Sequence, residues 1–77
     1  MIVKILRYEA DPVATEVHEV KSIELCKITF TVNKDKPAQE NLVMYFENGS
    51  NSSTLLFTND EVFLCNSEGK TVDRWLI

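Results

Sequence analysis

Residues 42–49 read LVMYFENG, and this stretch decides the fold. Leu42, Met44 and Phe46 share one parity, and Val43, Tyr45 and Glu47 the other. That is the period-two pattern of a β-strand. Asn48-Gly49 follows as a turn signal, because both residues tolerate the positive φ of a type I′ hairpin turn. The polar tract runs on to Ser53, so the loop is expected to exceed a tight hairpin, and the next strand to run from Thr54 to Thr58.

Toward the N-terminus, Ile23 to Asn33 reads as a second clear strand. Cys26, Ile28, Phe30 and Val32 fall on one face, and Lys27, Thr29, Thr31 and Asn33 on the other. The charged segment 34–39, with Pro37, is a loop. Toward the C-terminus, Asn59-Asp60 reads as a tight connection, Glu61 to Cys65 as a strand and Asn66-Ser67-Glu68-Gly69 as a turn. Lys70 to Ile77 is the last strand. Loops this short predict an antiparallel meander for the last four or five strands.

Ile2 to Tyr8 opens the chain as a strand that is apolar on both faces, which predicts a central position with the N-terminus inside the fold. Residues 12–21 divide the evidence. Asp11-Pro12 suits a helix start, and Val13, Val17 and Val20 have helical spacing. Against this, Val13, Thr15, Val17 and Val20 are β-branched and poor helix formers, so a strand or irregular segment is expected.

The sum is a mainly β single domain, residues 1–77, with one small antiparallel sheet curled into a barrel, roll or compact sandwich. The alternative is α+β with one short helix near 12–21. A flat sheet needs a second layer, and no long helix is there to supply it. Pairing the first and last strands would close the sheet and hide two edges.

Size bounds the rest. A chain of 77 residues buries only about 60% of its extended surface, so its stability is thin and a partner helps. The 44% apolar and 26% charged fractions are those of an ordinary globular domain. Lys4 and Arg7 interrupt the apolar start, and no cleavage site follows, so no signal peptide is read. No apolar run approaches the roughly 20 residues of a membrane span. The expectation is a cytoplasmic protein away from membranes, a kind of chain common among small bacterial and phage proteins. Asn48-Gly49-Ser50 and Asn51-Ser52-Ser53 match glycosylation acceptors by letter only and carry no weight without a secretory signal.

The net charge is −4, and the acidic surplus lies in residues 35–77. This argues against unaided binding of nucleic acid, which needs lysines and arginines to neutralise phosphates. Lys27, Lys34 and Lys36 form a thin basic patch without interleaved aromatics, and a small-barrel nucleic-acid-binding protein is kept only as an alternative.

No catalytic constellation stands out. His18 is the lone histidine, and a small enzyme built on it is a remote alternative because no motif fixes a nucleophile beside it. Cys26 and Cys65 are too few for a disulfide framework and read as free core thiols. With His18 they make a poor zinc set, so no metal is expected. Asp60, Glu61 and Asp73 lack a cleft for paired-carboxylate chemistry, and Asp60 reads as a turn residue capping its own backbone. Gly49 and Gly69 are isolated turn glycines, not a phosphate loop, and no cofactor is expected. Tyr8, Tyr45 and Trp75 are the candidate interface residues, being large and amphipathic. The expected function is a non-enzymatic protein-interaction module, a small regulator or inhibitor with an unknown protein partner, and with self-association as a homodimer.

Overall fold

A computed structural model of the chain describes residues 1–9, 15–28 and 38–77. The described residues form seven strands: β1 (Ile2–Leu6), β2 (Thr15–Glu19), β3 (Ser22–Lys27), β4 (Glu40–Tyr45), β5 (Asn51–Leu56), β6 (Glu61–Cys65) and β7 (Thr71–Leu76). They make two antiparallel sheets, ordered β2-β1-β6-β7 and β3-β4-β5, which pack as a sandwich. The described residues contain no helix. The helical spacing of Val17 and Val20 is therefore not used. Val17 projects from β2 into solvent, and Val20 is buried at the corner beyond it. Val13 and Asp11-Pro12 lie outside the described residues, as do Thr29, Phe30, Thr31, Val32 and Asn33.

Of the three closures the alternation allowed, the chain takes the sandwich, and it does so by dividing its strands between two sheets. The division is made at two short passages. Val20-Lys21 carries the chain from β2 to β3, with Val20 N donating to Met1 O (2.8 Å) and Lys21 N to Tyr45 O (2.7 Å). These two adjacent residues thus bond to different sheets. The second passage is Phe57–Asp60, between β5 and β6, where Asp60 N donates to Phe57 O (3.0 Å) and Asn59 takes φ 72°. The predicted meander is broken here. The last strand pairs with β6, not with β1, so among the described strands both sheets stay open rather than closing on themselves. β1 is central, as its two apolar faces imply, and the Met1 ammonium donates to Val20 O (2.9 Å), drawing the N-terminus into the sheet.

The β4-β5 and β6-β7 hairpins share one turn geometry. Gly49 N donates to Phe46 O and Phe46 N to Ser50 O; Gly69 N donates to Asn66 O and Asn66 N to Lys70 O. The glycines take φ 86° and 84°. This is a three-residue loop closed by a left-handed glycine, not the type I′ turn expected at Asn48-Gly49. Only the glycine is left-handed. Asn48 instead uses Oδ1 to accept Ser50 N (2.9 Å), and Asn66 accepts Glu68 N and Lys70 N (both 3.0 Å). The loop is tight, so the polar Asn51, Ser52 and Ser53 belong to β5. Their positions are exposed, and backbone pairing to β4 holds them in the strand.

The core lies between the sheets. Val3, Ile5 and Val62 come from the first sheet, Leu42, Met44 and Leu56 from the second, and Val20 from the corner. Ile23, Leu25, Phe46, Leu64, Trp75 and Ile77 pack around them. β3 faces the core with Ile23 and Leu25, so the opposite parity, which carries Cys26, points away. Cys26 is therefore not a core thiol. Its Sγ lies on the outer surface 3.2 Å from Glu24 Oε1. Cys65 is buried, as expected, and both thiols are free.

Candidate interaction surfaces

The polar centre of the molecule is Arg7 with Asp60. Strand β1 stops at Leu6, two residues short of its apolar run, because Arg7 and Tyr8 turn to Asp60. Asp60 is buried at 3% exposure. Its Oδ2 accepts Phe57 N (2.9 Å) and Arg7 Nη1 (3.1 Å), and its Oδ1 accepts Tyr8 N (3.0 Å). Arg7 Nη1 also donates to Leu55 O (2.7 Å), Nη2 to Thr54 Oγ1 (2.7 Å) and Nε to Glu16 Oε2 (2.6 Å). Burial alone disfavours the guanidinium charge, but Glu16 and Asp60 outweigh it and hold the pKa above its ordinary value. Asp60 does cap its turn, as the sequence implies. That it also bolts the first sheet to β5 through Arg7 was not legible, since the partners are about 50 residues apart.

A cavity of about 600 Å³ opens beside this pair, lined by Arg7, Glu9, Thr54, Leu55, Phe57 and Asp60 together with Ser53. A second, of about 420 Å³, runs along β3 beneath Met1, Leu64, Asp73 and Trp75. β5 thus meets the Arg7 end of β1, and β3 meets its Met1 end.

The three candidate aromatics do not converge. Tyr8 is 61% exposed at the Asp60 end. Tyr45 stands on the outer face of the second sheet, its hydroxyl 3.4 Å from Glu24 Oε2. Trp75 is half-buried against the core and lines the β3 groove. Glu24 shapes its neighbours. Its hydrogen bond to Cys26 and its charge near Tyr45 are the leading causes that push both pKa values up. A thiol held protonated in this way is a poor nucleophile.

His18 is half-exposed on β2, with Nε2 3.8 Å from Glu16 Oε1. Glu61 pairs with Arg74 Nη2 (2.7 Å), and Arg74 lies over the Phe63 ring 5.5 Å from its centroid. Lys27 is exposed, while Lys34 and Lys36 lie outside the described residues. Among the described residues, no three His, Cys, Asp or Glu side chains are grouped to hold a metal. No described helix is long and apolar enough to cross a membrane.

The outer faces of the two sheets differ. Period-two alternation puts Ile2, Lys4 and Leu6, Val17 and Glu19, Glu61 and Phe63, and Arg74 and Leu76 on the outside of the four-stranded sheet. Leu76 is 66% exposed and Val17 56%, with Val72 at 53% beside them. The outside of the second sheet carries Ser22, Glu24, Asn41, Asn51 and Ser53 among Cys26, Val43, Tyr45 and Leu55. The sequence showed β1 to be two-faced, but not that the surrounding strands continue its outer apolar surface. No protein-family model, curated protein or solved structure matches the chain, so the functional argument rests on geometry.

Proposed function

We propose that the protein is a non-enzymatic protein-interaction module that works through the outer face of its four-stranded sheet, and that this face first takes a second copy of the chain. The observation that supports this is the apolar surface on which Leu76 and Val17 are exposed and Ile2, Leu6 and Phe63 are partly exposed, with no further layer over it among the described residues. Exposed apolar surface gathered on one face marks an interaction site.

Charge favours a second copy as the occupant. The chain carries −4, yet this face carries Lys4 and Arg74 against Glu19 and Glu61 and is balanced. Two such faces meet without net repulsion. Four strands about 4.8 Å apart and five residues of about 3.4 Å give a plan of about 19 by 17 Å. Side-chain relief roughly doubles this, so each copy buries about 600 Å², near the lower limit for specific complexes. That is about a tenth of the 5315 Å² of accessible surface. A small balanced interface implies micromolar rather than nanomolar affinity.

Sedimentation equilibrium tests this. The expected result is a monomer–dimer equilibrium at micromolar concentration that Leu76→Lys abolishes without loss of the β-type circular dichroism. A single 8.8 kDa species up to millimolar concentration removes the proposal.

A further inference from the structure

Among the described residues, each sheet ends in two strands whose outward backbone groups lack a neighbouring strand, and the molecule treats these four edges differently. On β5, the bonds Phe46 N to Ser50 O and Gln39 N to Leu56 O turn the even-numbered residues toward β4. The Leu55 carbonyl and Phe57 N–H therefore point outward. Arg7 Nη1 takes the first and Asp60 Oδ2 the second. On β7, the bond Ile77 N to Asp60 O turns alternate residues toward β6 and leaves Arg74 N–H outward, where Asp73 Oδ1 accepts it (2.9 Å). Edge β2 is five residues long and carries Glu16, His18 and Glu19. Short length, charge and side-chain plugs are the means by which proteins stop an edge from recruiting another strand.

Edge β3 carries Glu24 and Lys27, but among the described residues no side chain plugs its outward backbone groups. The bond Ile28 N to Gln39 O turns the even-numbered residues toward β4, so the N–H and C=O groups of Ile23, Leu25 and Lys27 face outward. Among the described residues nothing bonds them. The groove of about 420 Å³ runs beside them, walled by Ile23 and Leu25 and by Leu64, Trp75 and Met1.

We infer that the free edge of β3 is a docking site for an extended segment of a partner protein, which adds as a strand and presses alternate side chains into the groove over Leu64 and Trp75. Only an extended backbone offers donors and acceptors at the two-residue spacing of Ile23, Leu25 and Lys27. The groove then rewards apolar residues at every second position. Its one acid is Asp73, and the chain carries −4, so a segment with a lysine or arginine at the Asp73 end fits best. This inference rests on the reading of the protein as an interaction module but uses a different surface, so the two fail separately.

The test selects a displayed library of random eight-residue segments on the immobilised chain. Enriched sequences are then titrated as synthetic peptides against the fluorescence of Trp75, the sole tryptophan. Lys27→Pro removes an outward N–H and no ladder bond, so the fold survives while the edge is blocked. Expected are peptides with alternating apolar residues that shift Trp75 emission, slow amide exchange at Ile23 and Leu25, and bind at least tenfold more weakly to Lys27→Pro. Methylating the peptide amides that face β3 abolishes binding, and Leu76→Lys leaves it unchanged. No enriched segment, or binding without slowed exchange at Ile23 and Leu25, overturns the inference. Binders lost with Leu76→Lys instead assign recognition to the outer sheet face and overturn it too.

Discussion

Replacing Asp60 by alanine removes three acceptor contacts at once. Tyr8 N–H and Phe57 N–H lose their partner, and Arg7 keeps Glu16, Leu55 O and Thr54 but loses its buried counter-charge. A buried donor left unsatisfied costs about 1–3 kcal/mol. Tyr8 is exposed and water re-satisfies part of its loss, which puts it at the low end. Phe57 and the half-orphaned Arg7 contribute more, for a total of about 3–5 kcal/mol. A domain of this size has about 4–12 kcal/mol in all. Asp60→Ala should therefore sit at the edge of unfolding at 25 °C. Asp60→Asn keeps one oxygen but presents an amide to Arg7, and should cost about 2–3 kcal/mol. Urea unfolding followed by Trp75 fluorescence reads both. A cost below about 1 kcal/mol for Asp60→Ala, with an unchanged m-value, would falsify the claim that this carboxylate ties the sheets together.

Three further outcomes are expected. Leu42→Ala, at a position with no exposure, should destabilise by about 2–5 kcal/mol in the same urea assay, whereas Leu76→Lys should change monomer stability by less than about 0.5 kcal/mol. Gly49→Ala and Gly69→Ala should cost about 1–2 kcal/mol each and nearly equal amounts, because both glycines hold the same left-handed conformation and neither lacks space for a Cβ. The third concerns pH. Glu24 raises the Cys26 pKa above 9.0, so the folded thiol keeps its proton where the unfolded one has begun to lose it. That contribution to stability is present below pH 9 and fades as pH rises through the folded value. Iodoacetamide alkylation should show a midpoint above 9.0 that Glu24→Gln moves back down. An unchanged midpoint would contradict the assigned cause.

Local features of the chain were readable where local rules govern them. The alternation of Leu42, Met44 and Phe46 predicted β4 and its buried face, and Gly49 and Gly69 marked the β4-β5 and β6-β7 turns. What could not be read depends on which strands meet. Asn59-Asp60 looks like any tight connection, and only the positions of β5 and β6 make it a passage between sheets. The misplacement of Cys26 has the same origin. Its parity matches the apolar Ile28, Phe30 and Val32, yet Ile23 and Leu25 have the opposite parity and take the core. The polar Ser52 and Ser53 concealed a strand because their pairing is made by backbone alone. Of the interface candidates, Trp75 lines a groove. The apolar outer face emerges only once four segments separated in the chain are laid side by side.

The placement of β1 beside β6 has a kinetic consequence. Leu6 pairs with Glu61 and Ile2 with Cys65, so the first sheet assembles only after some 55 residues of chain have been closed into a loop. Strands β3, β4 and β5 need no such closure, since each pairs with its neighbour in sequence. The three-stranded sheet should therefore form early, with the N-terminal strand arriving late to fill the middle of the other sheet. Until it does, β6 and β7 form a hairpin that lacks its inner neighbour and leaves the inward edge of β6 open. Refolding should wait on this one non-local pairing, because the other four pairings join strands adjacent in sequence. In that interval the open edge of β6, which β1 covers in the finished protein, is exposed to the wrong strand.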